Sequence, residues 1–124
     1  MGGAAMSEGS CYCGALTFKT PDTSLWCAHC HCTMCQRAHG AGFVTWVGYP
    51  EDKVEVNGPT LRWFQSSDRG ERGFCQTCGS TVFFKGRKWP GELHIARANL
   101  GDIDRQPAGH AHIESRVPWI EKSD

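Results

Sequence analysis

Apolar and polar residues alternate with a period of two along most of this chain, and each run stops where Gly, Pro, Asn or Asp cluster. Residues 15–20 alternate as far as Pro21 and Asp22, and residues 25–28 form a second run leading into a group of cysteines. Phe43, Val44, Thr45, Trp46 and Val47 are β-branched or aromatic and predict a strand closed by Tyr49 and Pro50. Residues 53–56 and 61–65 flank Asn57, Gly58 and Pro59, which predicts a hairpin, followed by a loop over 66–70. Further strands are expected at 81–84 and 93–96 with a loop at 86–91 between them. In the last strand His94 faces away from Leu93 and Ile95, so it is expected to be exposed or hydrogen-bonded rather than a metal ligand. One or two turns over 36–40 are the only helical signal. The pattern predicts an all-β domain of about eight short strands with little helix. Residues 1–8 read as a flexible leader, 9–121 as one domain whose last stretch, residues 110–120, ends in an apolar anchor at Trp119 and Ile120, and 122–124 as a tail.

A length of 124 residues suits one domain, large enough to bury about two-thirds of its unfolded surface. Thirteen basic residues balance thirteen acidic ones, so no global charge draws the chain to nucleic acid or to an anionic membrane. The nearest approach to a basic face is Arg69, Arg72, Lys85, Arg87 and Lys88. No apolar stretch approaches the roughly 20 residues that span a bilayer, and the start lacks the cationic and apolar segments of a signal peptide. The expected setting is the cytoplasm, without nucleic-acid or membrane partners.

Cysteine changes the picture most. Of eight cysteines, four stand with two histidines in the nine residues Cys27-Ala-His-Cys30-His-Cys32-Thr-Met-Cys35. Clustering at C-x-C and C-x-x-C spacing suits metal knuckles better than the long-range staples of a secreted framework. Cys30, Cys32 and Cys35 can converge at a loop turning into a helix, and zinc is the metal that suits several thiolates in tetrahedral array. Three protein ligands would leave a fourth position open. Cys27 as fourth ligand would close it, and a metal-free thiol cluster is the third possibility. His29, His31 and His39 are candidate fourth ligands, although a single histidine is more often exposed or hydrogen-bonded. Cys11-Tyr-Cys13-Gly14 and Cys75-Gln-Thr-Cys78-Gly79 form a second set of four thiols, read as a structural zinc site, against the alternatives of separate metals or disulfides.

The segments Gly-Ser-Cys11-Tyr-Cys13-Gly-Ala-Leu, Cys30-His-Cys32-x-x-Cys35, Arg72-x-Phe74-Cys75-x-x-Cys78-Gly-Ser and His112-Ile through Pro118-Trp119 resemble the glutathione-dependent formaldehyde-activating family, which includes the centromere-protein-V-like zinc proteins. The resemblance implies a zinc-containing β-tent with one zinc on Cys11, Cys13, Cys75 and Cys78 and another on Cys30, Cys32 and Cys35. It also implies a carbon–sulfur lyase of the S-(hydroxymethyl)glutathione synthase type, with glutathione or a related thiol and a small aldehyde as ligands. Cys30, Cys32 and Cys35 would carry the chemistry and Arg37 would hold the ligand. Arg62, Arg69 and Arg97 are further candidates for a carboxylate clamp, and Trp46, Trp63, Trp89 and Trp119 for pocket walls. Two features depart from the family: Gln36 precedes Arg37 where the third central cysteine is commonly followed by Arg or Lys, and Cys27 is additional. A non-catalytic thiol carrier or a zinc-stabilised interaction module is the alternative function.

Overall fold

The structure is a computed structural model that describes residues 7–120. Ten strands are β1 (Ser7–Ser10), β2 (Thr17–Thr20), β3 (Trp26–Cys30), β4 (Val44–Pro50), β5 (Glu55–Asn57), β6 (Leu61–Ser67), β7 (Gly70–Cys75), β8 (Thr81–Gly86), β9 (Glu92–Ala96) and β10 (His110–Ala111). Among the described residues one α-helix, α1 (Thr33–His39), and three single 3-10 turns interrupt them, so the domain is all-β with little helix, as expected. A small sheet has the order β1-β2-β5, and a seven-stranded sheet runs β10-β3-β4-β9-β8-β7-β6. All pairings in both sheets are antiparallel except β10 with β3.

Buried side chains from both sheets fill the space between them. Leu93 and Ile95 of β9, Val47 and Tyr49 of β4, Val82 and Phe83 near the start of β8, and Leu16 and Phe18 beside the small sheet are all buried. Phe18 meets Phe83 edge to face at 5.1 Å. Each such side chain contributes about 1.5–3 kcal/mol through burial. The opposite face of the large sheet carries the site. Trp26 lies flat across β4 because residue 48 is glycine: a Cβ there would come within 2.4 Å of the indole nitrogen.

Several sequence expectations are corrected. The predicted hairpin of 53–56 with 61–65 does not form: β5 pairs with β2, and β6 pairs with β7. Asn57, Gly58 and Pro59 carry the chain from one sheet to the other over Leu16, whose Cδ1 lies 2.2 Å from where a Cβ on Gly58 would be. Turn chemistry marks a reversal but does not name the strands it joins. The loop expected at 66–70 is the tight connection of β6 to β7, and β7 itself was not foreseen. Ser7 and Glu8, assigned to a leader, are paired in β1 with Thr20 and Lys19; the rest of the leader and the tail lie outside the described residues. The helix begins earlier than expected because Cys32 caps it, its sulfur accepting the Cys35 N–H at 3.2 Å. Of the terminal apolar anchor, Val117 and Ile120 pack over Gly42, whereas Trp119 is 70% exposed.

Candidate metal centres and cavity

Two knuckles build the first centre. Gly14 and Gly79 both adopt positive φ, 86° and 83°, which lets each chain turn back sharply after its cysteine pair. The sulfurs of Cys11, Cys13, Cys75 and Cys78 all lie within 4.8 Å of one another. Backbone and hydroxyl groups surround them: Leu16 N–H donates to Cys11 Sγ at 3.3 Å, and Ser80 Oγ lies 3.1 Å from Cys78 Sγ while accepting the Tyr12 N–H at 3.0 Å. Ser80 thus links the two knuckles. Its hydroxyl and backbone N–H hold the Cys78 thiol down at about 5, and Thr60 lowers Cys75. Four converging thiols fit a closed tetrahedral thiophilic cation such as zinc. No disulfide joins them; all eight cysteines are free.

The second centre sits where β3 runs into α1. Cys30 closes the strand, Cys32 caps the helix and Cys35 lies one turn inside it, and the three sulfurs are within 4.8 Å of one another. Cys30 and Cys35 are 3.6 Å apart. Trp46 donates its indole N–H to Cys35 Sγ at 3.4 Å, and both terminal nitrogens of the buried Arg72 guanidinium lie 3.8 Å from the same sulfur. Hydrogen bonds from Cys30 and Cys35, then the Cys35 backbone N–H and the Arg72 charge, pull the Cys32 thiol down to about 2. Cys30 is pushed up in exchange, first by its contact with Cys32. Three converging thiols are a donor set that again fits zinc.

These sulfurs form part of the wall of a cavity of about 780 Å³. Trp26, Trp46, Phe84 and Trp89 supply its aromatic surface, and Arg69, Arg72, Arg87 and Lys88 bring positive charge. Four of the five residues in the candidate basic face therefore converge on one concavity instead of spreading over a surface. Cys27, by contrast, is buried in the core with Val47 and Tyr49, where loss of solvent pushes its thiol up, and it is not among the converging thiols. β-Strand alternation explains this, since Cys27 and Cys30 face opposite sides of β3.

None of the three candidate imidazoles joins the thiol group. His29 Nδ1 bonds Thr45 Oγ1 at 2.8 Å, and His31 Nε2 meets His110 Nδ1 at 2.9 Å. His39 packs edge-on to Trp46, and burial followed by the Arg72 charge lowers it to about 4. Among the candidate arginines only Arg69 lines the cavity. Arg37 is exposed on α1 away from it, Arg62 bonds the carbonyls of Pro59 and Leu61, and Arg97 those of Leu100 and Gly101. Trp46 and Trp89 wall the cavity, while Trp63 stacks near Phe83 and Trp119 is exposed. Arg72 as a partner of the thiols was not foreseen. Its nearest sequence signal is its place three residues before Cys75, but its reach to Cys35 depends on strand pairing.

An all-β domain with one group of four converging thiols and another of three in a cavity wall defines a class of proteins whose cysteine clusters could hold metal ions. The chain belongs to the family described as glutathione-dependent formaldehyde-activating enzyme, whose profile matches residues 6–116. A protein of Halomonas elongata named "Putative glutathione-dependent formaldehyde-activating enzyme" is 29% identical over 124 aligned residues, covering 92% of this chain and 79% of that one. An uncharacterized lyase of Schizosaccharomyces pombe is 32% identical over 79 residues, 62% of this chain and 56% of its own. A crystal structure of a Rhodobacter sphaeroides protein shares the fold, with a TM-score of 0.65 at 24% identity over 78% of this chain and 90% of the other. Family membership and these names support an enzyme. No helix among the described residues is long and apolar enough to cross a membrane.

Proposed function

We propose that the protein is a zinc-dependent carbon–sulfur lyase of the S-(hydroxymethyl)glutathione synthase type, acting in the cytoplasm. Cys11, Cys13, Cys75 and Cys78 hold a structural zinc, and Cys30, Cys32 and Cys35 hold a second with one position open. A zinc ion at the second centre would supply the Lewis acidity that keeps an incoming thiol as thiolate near neutral pH. In the reaction the thiol S–H breaks, sulfur bonds to the formaldehyde carbon, the carbonyl pair moves to oxygen, and the released proton ends on that oxygen. Arg72 offsets the negative charge of the three thiolates, and the aromatic walls exclude water from the reacting groups. Arg69, Arg87 and Lys88 attract the carboxylates of an anionic thiol.

The observation that carries this reading is the convergence of three free thiols in the wall of a cavity of about 780 Å³ lined by four cationic side chains. Calorimetric titration of the zinc-loaded protein with glutathione, beside an analogue carrying methyl in place of the thiol, tests it. Thiol-dependent binding is expected, with adduct formation faster than the uncatalysed background and lost in Cys32→Ser. Equal binding of both ligands, or of neither, would overturn the reading.

A further inference from the structure

The cavity has a second polar pole. His94 is 4% exposed, yet its ring forms part of the cavity wall. Its Nε2 meets Glu92 Oε1 at 2.9 Å, and the same oxygen accepts the Trp26 indole N–H at 3.1 Å. Glu92 borders a neighbouring concavity, so it stands behind the imidazole as seen from the thiol cavity. A carboxylate at Nε2 fixes the proton on that nitrogen and leaves Nδ1 as a lone-pair acceptor. Nδ1 has no hydrogen-bond partner among the described residues and is not one of the sealed, unpaired atoms. Burial keeps the imidazole neutral by lowering its pKa.

Three aromatic rings pack around the His94 imidazole: Trp26 at 4.6 Å, Trp89 at 5.2 Å and Phe84 at 5.7 Å between centroids. Aromatic rings at such a distance suit a cation. Lys88 lies 5.4 Å from the centroid of the Trp89 ring that packs on His94, and Arg87 lines the same cavity, so cationic groups share this part of the wall with the acceptor. An acceptor in an aromatic frame, next to cationic groups, matches an ammonium and a carboxylate borne by one carbon. The pole is also set apart from the sulfurs. Trp46, which touches Cys35, is 6.2 Å from Phe84, and Phe84 is the next ring before His94.

The geometry points to His94 as a specificity-determining residue that receives the ammonium of an α-amino-acid head group, while the thiol of the same ligand reaches Cys30, Cys32 and Cys35. The class of ligand is a peptide-like thiol whose zwitterionic end is several bonds from sulfur, as in a γ-glutamyl thiol. Glu92 is a positioning residue that selects the imidazole tautomer. This inference rests on the thiol-binding reading above and adds the far end of the ligand to it.

Zinc-loaded protein is titrated with glutathione and with glutaryl-cysteinyl-glycine, which lacks only the α-amino group. Glutathione is expected to bind at least about tenfold more tightly, the scale of one hydrogen bond to a charged group. Glu92→Gln keeps the oxygen that accepts from Trp26 and His94 and is expected to keep the discrimination, whereas His94→Leu removes the acceptor and is expected to lose it while binding glutaryl-cysteinyl-glycine as the parent does. Equal binding of the two probes by the parent protein overturns the role of His94 and leaves thiol binding intact; binding of neither overturns both. A variant that loses affinity for both probes in parallel would make His94 a packing residue and also overturn the assignment. The comparison of probes on the parent protein holds even if a variant fails to fold.

Discussion

The two cysteine clusters use the same donor atom and differ in almost everything around it. At the four-thiol centre the ligands come from two knuckles at the rim of the fold, with Gly14 and Gly79 making the turns and Ser80 bridging them. At the three-thiol centre the ligands come from one strand end and one helix, and the surroundings are Trp46, Arg72 and a cavity. A four-thiolate zinc carries net −2 and leaves no position for a ligand, whereas a three-thiolate zinc carries net −1, beside which one guanidinium suffices. In the function proposed above, ligand count and neighbouring charge, not ligand identity, separate a centre that would hold the chain together from one that would bind a ligand.

The largest effect that would sharpen this contrast is expected from Cys75→Ser. It leaves an incomplete centre between distant parts of the chain and should cost stability comparable to the domain's total, on the order of 5–15 kcal/mol, read as loss of cooperative melting by circular dichroism. Cys32→Ser should keep a folded protein with its melting temperature lowered by a few degrees, on the order of the shift from 1 kcal/mol. Its zinc content by mass spectrometry of the native protein should fall from two to one, and thiol binding should vanish. If Cys32→Ser unfolds as completely as Cys75→Ser, the division of labour fails.

Acid supplies a third probe. His94, His39, His31 and His29 all titrate below the usual imidazole range, with burial as the leading cause in each. In the unfolded chain they would take up protons near pH 6.5, so the unfolded state binds more protons below that value. Stability from this source is complete above about pH 6.5 and is lost as pH falls toward the folded values, about 4 for His39. Melting curves at pH 7.5 and 5.5 with bound zinc tracked in parallel should show a drop; an unchanged midpoint would contradict it.

Arg72→Met probes the charge balance of the open centre. Removing hydrogen bonds to a charged sulfur should weaken zinc retention there about tenfold, measured by competition with a chelator, while the four-thiol centre is unaffected. Arg37→Ala is expected to change neither thiol binding nor zinc content and to shift stability by less than about 0.5 kcal/mol, because its side chain is exposed and off the cavity. A marked loss of glutathione affinity in Arg37→Ala would return that residue to the site.

Local chemistry was legible in the sequence, and strand partnership was not. The knuckles could be read because C-x-C-G and C-x-x-C-G specify a ligand pair and its turn within five residues. His94 could be placed on the face opposite Leu93 and Ile95 because alternation is local. Arg72, in contrast, reaches Cys35 because β7 pairs with β8 so that Arg72 is opposite Phe84, over whose ring its guanidinium lies at 4.9 Å. The pairings β5 with β2 and β10 with β3 join segments about 40 and 80 residues apart, which no turn residue signals.

The spacing of the ligands also sets an order of assembly. The three sulfurs of the open centre fall within six residues, Cys30 to Cys35, whereas Cys13 and Cys75, in contact at 3.8 Å, are 62 residues apart. Closing the longer loop costs about 2 kcal/mol more in chain entropy than closing the shorter one. During synthesis the central segment is therefore able to capture metal before the chain has folded, as zinc titration of a peptide spanning residues 26–40 would show by tight binding. The other centre fills only once its two knuckles have met, so its occupancy is a record that folding has finished.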